Sequence, residues 1–519
     1  PWEFRILRHE PEPWRPEDTL TIGKGFALLL STALYTRLNF LALADKLSAQ
    51  PEKLRALMPP RYPADAPTIS RAIWQQAGAA WQFVSGALAA SDWQAAGHGS
   101  NSWAVAPERA VNGGAILCND PHLRMTLPST WYLMHLKAEA NGADPEGYEV
   151  WGASIPGIPC IHLGHNRWIA WGVTAAVCDD VEIYREKLHR LEPDRYLADN
   201  RWEKFETRRE QVAIRGKAAR QIILRRSRHG PVLSDFSASA DANEILSLRW
   251  TAHEPSEELR SVYGVNRAHD WREFVDALRF HSAPSLNFLY ADRAGNIGYS
   301  LAGKIPRRTR VPALAPLNGW EPENEWPDYL AFEALPRIYN PPRRSLATAN
   351  NRVADDSYPF YLSHFYEPPQ RIRRIEQLLA AREKFTADDL SAFQLDAVSL
   401  HGRELRDKLR DDIAAVGAGE PALSTMVARL LAWDGDCAEH SVEAAIFHHF
   451  HHRLLVKLLV PDLGERLFSA AVEILNQCIV ATDEILADPH SPWFAARPRA
   501  GLVEGALRQA HKELAAAFG

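Results

Sequence analysis

The residue best placed for covalent chemistry is Ser100, which lies in the short run His98-Gly99-Ser100-Asn101-Ser102. A serine hydroxyl is a weak nucleophile at neutral pH and needs an adjacent base. One solution is a serine that becomes an N-terminus and uses its own α-amine, which titrates near pH ~8. Gly99 has no side chain, so the peptide can bend until the Ser100 hydroxyl reaches the Gly99 carbonyl carbon. We therefore predict self-cleavage between Gly99 and Ser100.

Other groupings of residues compete with this interpretation. The composition Gly-Ser-Asn is also that of an ordinary turn. His448 and His452 lie one turn apart on a predicted helix, a spacing typical of a two-histidine metal pair, which leaves a metal-dependent hydrolase as an alternative. No His-Glu-x-x-His motif accompanies them, so a polar helix face is the other interpretation. The chain has no Gly-x-Ser-x-Gly elbow and no P-loop, which argues against α/β-hydrolase and nucleotide chemistry.

Several runs of distinctive composition follow Ser100 in order along the chain. They are Ser100–Trp103, Asn119–Leu123, Pro156–Pro159, Gly164–Asn166, Ala170–Thr174, Asp179–Tyr184, Leu286–Tyr299, Gly303–Arg308 and Thr348–Asn351. Together they resemble the penicillin acylase family of N-terminal nucleophile hydrolases. The resemblance covers most of the chain and implies an α+β fold, a four-layer αββα sandwich with added helical segments. It also implies a fragment that lacks parts of both ends.

The same resemblance implies roles for individual residues. Ser100 is expected to supply both the nucleophilic hydroxyl and, through its α-amine, the general base. The side chain of Asn287 and the backbone N–H of Ala175 are expected to stabilise the oxyanion. His122 is expected to lie near the α-amine and tune it. Arg308 is expected to orient the amine and assist processing.

The segment from Asp179 to Glu182 resembles the family's calcium loop, in which Asp179, Val181 and Glu182 would be ligands of a structural calcium ion. The family's partner glutamate is replaced in this chain by Arg37. A guanidinium can meet two carboxylates and replace the charge of the ion. We therefore expect an ion pair from Arg37 to Asp179 or Glu182, and no cofactor for the chemistry itself.

The pattern of apolar residues divides the chain into four parts, and the family resemblance implies what each part is. Residues 1–67, which are Leu- and Ala-rich from 18 to 58, are predicted to be helical, and the resemblance implies that they are the end of an α-chain. Residues 68–99 are rich in Ala, Gly and Gln and are predicted to be a spacer peptide, with an amphipathic helix followed by a loop as the alternative. Residues 100–385 alternate short β-like runs with turns and are predicted to form the nucleophile core of a β-chain. Residues 386–519 show helical spacing and are predicted to be its helical part.

Composition excludes several classes of protein. The 519 residues carry a net charge of -6, which gives no basic surface for nucleic acid. No apolar run reaches the ~18 residues that a membrane span needs. The five cysteines are dispersed without Cys-x-x-Cys spacing, so neither a disulfide framework nor a cysteine zinc cluster is expected. Periplasmic or secreted localisation is implied by the resemblance alone.

The sequence therefore predicts an autoprocessed amidohydrolase that forms an acyl-enzyme on Ser100. Its substrate would be an N-acylated small molecule of the β-lactam or acyl-homoserine lactone type. Its α-chain and β-chain would remain together as a heterodimer. An unprocessed or inactive relative that serves as a binding protein is the alternative.

Overall fold

The computed structural model describes residues 2–58, 99–123, 125–142, 146–236, 244–308, 314–416, 420–473 and 477–518. The predicted spacer therefore lies outside the described residues except for Gly99. The N-terminal segment forms the predicted helices, which are α1 (Trp2–Leu7), α2 (Pro16–Leu30), α3 (Thr32–Lys46) and α4 (Pro51–Ala56). Pro16 and Pro51 stand at the starts of their helices, where a missing N–H costs nothing.

The middle of the chain is built from short strands, as its alternating pattern predicts. They are β1 (Gly99–Val105), β2 (Ile116–His122), β3 (Tyr132–Ala138), β4 (Tyr148–Ser154), β5 (Leu163–Asn166), β6 (Ile169–Ala175), β7 (Val181–Lys187), β8 (Arg195–Ala198), β9 (Arg201–Lys204), β10 (Glu206–Val212), β11 (Arg220–Ser227), β12 (Gly230–Pro231), β13 (Glu244–Trp250), β14 (Leu286–Asp292), β15 (Ile297–Ala302), β16 (Pro306–Arg307), β17 (Leu317–Asn318), β18 (Asp328–Tyr329), β19 (Arg337–Tyr339) and β20 (Ser345–Thr348).

Two further groups of helices complete the chain. Two helices interrupt the strands, and the others follow β20: α5 (Glu258–Arg267), α6 (Trp271–Leu278), α7 (Gln370–Ala380), α8 (Ala387–Gln394), α9 (Leu400–Lys408), α10 (Arg410–Val416), α11 (Pro421–Ala432), α12 (Val442–Leu463), α13 (Glu465–Phe468), α14 (Gln477–Ala487) and α15 (Arg499–Phe518). In the described part of the chain, no single helix is long and apolar enough to cross a membrane; only α2 and α3 together, bent by 49°, meet that test of length and composition.

Two sheets form the centre of the molecule. One has seven strands in the order β19-β15-β14-β6-β5-β4-β3, and the other has three in the order β2-β1-β20. β1 is central in the smaller sheet and antiparallel to both neighbours. Successive side chains of a strand point to opposite faces. Accordingly Ala104 packs between the sheets with Leu289 and Leu301, whereas Trp103 and Val105 pack on the opposite side.

Helices cover the outer face of each sheet. Phe274 and Leu278 of α6 pack against Trp171 and Phe288 of the seven-stranded sheet. On the other side, Ile375 of α7 packs beside Trp103 of β1, together with α8. The order helix, sheet, sheet, helix is the predicted αββα sandwich, so this expectation is confirmed.

The C-terminal helices form a separate apolar core that α3 joins. Phe447 and Leu454 of α12 are buried in the same cluster as Leu34 and Leu38 of α3. Burying a side chain of this size stabilises the folded state by about 1.5–3 kcal/mol. The segment before Ser100 is therefore held against the segment after it by packing that does not depend on an intact backbone between them.

Candidate active site

Ser100 lies at the start of β1 and at the wall of an internal cavity. Its side chain is largely buried, and its backbone N–H donates to Asn350 Oδ1 at 2.6 Å. In the continuous chain this nitrogen is a peptide nitrogen. It stands where the α-amine of a chain beginning at Ser100 would lie. The strand register places Pro121 of β2 opposite Ser100.

Asn350 and Arg371 hold Ser100 from two sides. Arg371 Nη1 donates to the Ser100 carbonyl at 3.0 Å and to Asn101 Oδ1 at 2.9 Å. Its Nη2 donates to Asn350 Oδ1 at 3.0 Å, so one amide oxygen accepts from both Ser100 and Arg371. A Cβ on Gly99 would lie 3.2 Å from the Arg371 guanidinium, which explains why a glycine suits this position.

Neither Asn350 nor Arg371 was assigned a role from the sequence. Asn350 belongs to a run that carries the family resemblance, and an Asn-Asn pair directly after a predicted strand is the signal that could have singled it out. It adopts a left-handed backbone with φ of 60°, which asparagine tolerates better than most residues. Arg371 has no such signal, because it is one of many arginines on the helices after β20.

The backbone of Ala175 points toward the side of the strand on which Ser100 and Asn350 lie. The Ala176 N–H donates to the Ser285 carbonyl, and the next pair in the register is Leu286 with Ala175. Because pairs alternate in antiparallel strands, this one is not hydrogen-bonded and the N–H and carbonyl of Ala175 point away from β14. On that side the Ala175 carbonyl accepts from Asn350 Nδ2 at 2.8 Å. The Ala175 N–H therefore faces the region where Ser100 is held.

Asn287 is completely buried beside this region. Its Nδ2 donates to Thr174 Oγ1 at 3.0 Å, and its Oδ1 accepts from the Tyr299 hydroxyl at 2.8 Å. Burial raises the pKa of Tyr299, which keeps this hydroxyl a donor and fixes the orientation of the amide. Thr174 and Ala175 line the cavity. The amide of Asn287 lies directly behind them.

His122 is near Ser100 in the register, but its ring is directed elsewhere. Its backbone lies opposite Gly99, whereas its Nε2 is 2.5 Å from Asp120 Oδ2. The ring is 42% exposed and is not part of the cavity wall. Asn101 Nδ2 donates to the same carboxylate at 3.0 Å. His122 is therefore connected through Asp120 to Asn101, the residue after Ser100.

Arg308 was expected near the amine of Ser100, and this expectation is wrong. Its guanidinium donates to the carbonyls of Asp179 at 2.7 Å and Val181 at 3.0 Å, and it lies 3.4 Å from Glu182 Oε2. The arginine that contacts Ser100 is Arg371. Arg308 directly follows strand β16, and its side chain enters the loop before β7. The buried carboxylates there attract a cation more strongly than water-exposed groups at the surface would.

The ion pair expected at Arg37 is present. Arg37 Nη2 lies 2.7 Å from Asp179 Oδ2, and its Nη1 lies 3.0 Å from Glu182 Oε1. All three side chains are buried. Burial opposes the ionisation of Asp179, but Arg308 and Arg37 outweigh it and lower its pKa.

The residues that resemble a calcium loop do not fit a calcium ion. Asp179, Glu182 and the Val181 carbonyl are each within hydrogen-bonding or ion-pairing distance of a guanidinium. Two arginines already balance the charge of the two carboxylates. A divalent cation would have to displace both guanidinium groups from a buried position, so no step of the chemistry is assigned to calcium.

The cavity beside Ser100 has a volume of about 380 Å³ and an apolar wall. Burial lowers the pKa of His162 to about 4, and it also lowers the pKa of His281. Both rings in the wall are therefore uncharged at neutral pH. Lys24 and Glu258 supply charge together at one end, where their side chains are 3.7 Å apart. The apolar wall includes Phe26, Leu30, Trp131, Ile158, Val262 and Phe288.

The histidine pair considered on α12 does not form a shared site. His448 is exposed, with its Nε2 3.5 Å from Cys437 Sγ. His452 is exposed and contacts the ring of Phe468. The buried member of the run is His451 instead.

Comparison with known proteins shows the family to which the chain belongs. The sequence model of the penicillin amidase family matches residues 1–519, the whole chain. The chain belongs to this family. The family assignment expected from the short runs after Ser100 is thus confirmed.

Two relatives within the penicillin amidase family differ in name. Penicillin acylase 2 proenzyme from Pseudomonas sp. strain SE83 is 31% identical over 475 residues, which are 89% of this chain and 59% of the relative. Acyl-homoserine lactone acylase QuiP from Pseudomonas aeruginosa is 29% identical over an alignment that covers 95% of this chain and 61% of the relative. The chain thus spans about three fifths of the length of these relatives.

A solved structure from the penicillin amidase family supports the fold. The thermostable penicillin G acylase from Alcaligenes faecalis superposes with a TM-score of 0.62 at 24% identity. The superposition covers 81% of this chain and 79% of that chain. At this identity the likeness establishes the architecture alone.

Proposed function

We propose that this chain is an autoprocessed amidohydrolase that cleaves the acyl amide bond of small molecules through an acyl-enzyme on Ser100. One observation carries the proposal. Ser100 opens a central strand at the wall of an apolar cavity, with its nitrogen held by Asn350. Names in the penicillin amidase family support the reaction class, since the relatives are called penicillin acylase and acyl-homoserine lactone acylase.

Processing would begin with attack of the Ser100 hydroxyl on the Gly99 carbonyl carbon. The peptide C–N bond breaks as the ester C–O bond forms, and the nitrogen gains the proton to become the α-amine. Water then hydrolyses the ester and leaves a carboxylate on Gly99. The two chains stay together as a heterodimer, because α3 packs into the core of the C-terminal helices.

Hydrolysis of a substrate would use the same hydroxyl. The α-amine accepts the proton of Oγ through a water molecule, and Oγ attacks the acyl carbon. The Ala175 N–H and the Asn287 side chain are the proposed donors to the oxyanion. The protonated amine then gives its proton to the leaving nitrogen, and water deacylates the enzyme.

The charge of Arg371 favours this use of the amine. Arg371 and the nitrogen of Ser100 share one acceptor, Asn350 Oδ1, so the cation lies close to the future α-amine. A nearby positive charge disfavours the protonated form of an amine and keeps more of it available as a base. His122 and Asp120 act as positioning residues, since Asp120 holds the Asn101 side chain on which Arg371 rests.

The wall of the cavity indicates which part of the substrate it takes. Its side chains are mostly aliphatic or aromatic, and His162 is uncharged at neutral pH. We therefore propose an apolar acyl group on a β-lactam or homoserine lactone amine. A periplasmic or secreted location follows from the same family resemblance and is part of the proposal.

The proposal is tested with Ser100→Ala, measured by release of amine from a panel of N-acyl compounds. We expect loss of both chain cleavage and hydrolysis, the latter by at least about 10⁴-fold. Ser102→Ala is the matched control, because this buried serine lies two residues further along the same strand and donates only to the Cys118 carbonyl. An uncleaved Ser100→Ala protein that still hydrolyses amides would refute the assignment.

A further inference from the structure

Two histidines and an aspartate from three different helices meet in the C-terminal part of the chain. They are His401 of α9, His451 of α12 and Asp483 of α14, and one ligand atom from each lies within 4.8 Å of the other two. His401 Nε2 is 2.8 Å from Asp483 Oδ2. The rings of the two histidines have centroids 5.5 Å apart.

Two of these side chains are buried, and each has a polar atom without a hydrogen-bond partner in the described part of the chain. His451 is 9% exposed and Asp483 is 8% exposed. Among the described residues, His451 Nε2 and Asp483 Oδ1 have no hydrogen-bond partner. Buried polar atoms are rarely left unpaired, because they lose their bonds to water and gain nothing in return. A bound ion that accepts lone pairs from both atoms would remove this deficit.

We propose that His401, His451 and Asp483 form a three-ligand site for Zn²⁺ that ties α9, α12 and α14 together. Imidazole nitrogens and a carboxylate oxygen are typical zinc ligands, and three protein ligands leave one position for water. Bonds of ~2.0–2.2 Å place tetrahedral ligand atoms ~3.4 Å apart, so small side-chain rotations close the site.

The surroundings decide what such an ion does. The side chain of His401 is 23% exposed, which gives the ion a path from solvent. None of the three residues lines the cavity that contains Ser100. The inferred site therefore lies apart from the proposed hydrolysis, and its effect is to join the three helices.

A neighbouring pair of residues could also bind zinc, so the experiment must distinguish the two sets of ligands. His448 Nε2 lies 3.5 Å from Cys437 Sγ on the same helical part of the chain. The proposal commits to nitrogen and oxygen ligands and excludes this thiol from the coordination sphere.

The test is equilibrium dialysis of the whole purified protein against Zn²⁺ after removal of bound metal with a chelator. We expect one zinc ion per chain, and a Tm several degrees higher with the ion than without it. Asp483→Asn and His451→Gln should each weaken binding by about tenfold or more. Cys437→Ser and the exposed neighbour His452→Gln should leave binding unchanged.

Co²⁺ provides a second readout on the unmodified protein, which needs no variant to fold. A visible spectrum of tetrahedral or five-coordinate Co²⁺ without a thiolate charge-transfer band supports the proposed ligands. A thiolate band, loss of binding in Cys437→Ser, or full binding in both Asp483→Asn and His451→Gln would overturn them. Absence of saturable zinc binding to the folded protein would overturn the site itself.

Discussion

At the scale of single residues, Ser100 is held by a cation and an amide that come from distant parts of the chain. Asn350 is 250 positions away and Arg371 is 271 positions away. Together they fix the nitrogen and the carbonyl of Ser100, the residue proposed both to attack and to act as a base. The positive charge of Arg371 should set the pH at which the α-amine becomes a base.

Replacement of Arg371 tests this electrostatic role. Arg371→Gln removes a cation that disfavours the protonated amine, so the pKa of the amine should rise. The acidic limb of the kcat/KM profile against pH should move upward by about one pH unit. Arg371→Lys retains the charge and should move the limb much less. If both variants and the parent protein have the same kcat/KM profile against pH, the electrostatic role of Arg371 is contradicted.

His162 gives a prediction for stability against pH. Its pKa is about 4 in the folded protein because burial disfavours the imidazolium, against 6.5 ordinarily. As the pH falls, the imidazole of His162 is therefore protonated in the unfolded chain before it is protonated in the folded protein. The neutral buried ring contributes fully to stability above pH 6.5, and this contribution is lost as the pH falls through 4. Between pH 7 and pH 4.5, the free energy of unfolding of His162→Gln should decrease by about 2 kcal/mol less than that of the parent protein.

Urea unfolding at the two pH values measures this difference. His165→Gln is the matched control, since His165 is exposed on β5 and stays in contact with water when folded. The same pH dependence in His162→Gln and the parent protein would show that the ring is not held neutral.

The sequence could single out Ser100 as the candidate nucleophile, but it could not predict which side chains surround it. A glycine-serine step before a β-like run is a local signal, and the chemistry of an N-terminal serine follows from it. The contact with Arg371 is created by the packing of α7 over β1, which no local pattern encodes. Arg308 illustrates the opposite error, since its position in a family run did not reveal that its side chain enters the loop before β7.

At the scale of elements, α3 is anchored by a charge as well as by apolar packing. Arg37 is buried in the middle of this helix and pairs with Asp179 and Glu182 at the start of β7. The helix could be predicted from its leucine and alanine spacing. The ion pair of Arg37 was expected from the family resemblance and not from this spacing, because an arginine in a helix is normally taken to face water.

Arg37→Met should therefore destabilise the protein by about 3–5 kcal/mol, because it leaves buried carboxylates undercompensated. Arg352→Met, which removes a surface pair with Asp356, should cost less than about 1 kcal/mol. Unfolding in urea compares the two. Added Ca²⁺ should leave the Tm of the parent protein unchanged, and a clear rise would contradict the ion-pair assignment.

Helix α12 shows a related limit of sequence patterns. Its run of histidines was open to two interpretations, a metal pair at His448 and His452 or a polar face. In the structure both of those residues are exposed, and His451 is buried against His401. The helix period was predictable, but the identity of the buried histidine depends on which neighbours α9 and α14 present.

At the scale of the whole molecule, the cavity is built from both sides of the proposed cleavage point. α2 contributes Phe26 and Leu30, whereas α5 and β14 contribute Val262 and Phe288. The layered architecture followed from the alternation of strands and helices together with the family resemblance. The cavity did not, because its wall combines side chains more than 200 positions apart in the sequence.

The most direct measurement is intact mass and N-terminal sequencing of the folded, purified protein. We expect two chains that copurify, one of which begins Ser100-Asn101-Ser102, and a single uncut chain for Ser100→Ala. A folded parent protein that remains one uncut chain, or that is cut elsewhere, would contradict the central claim that Ser100 is an N-terminal nucleophile.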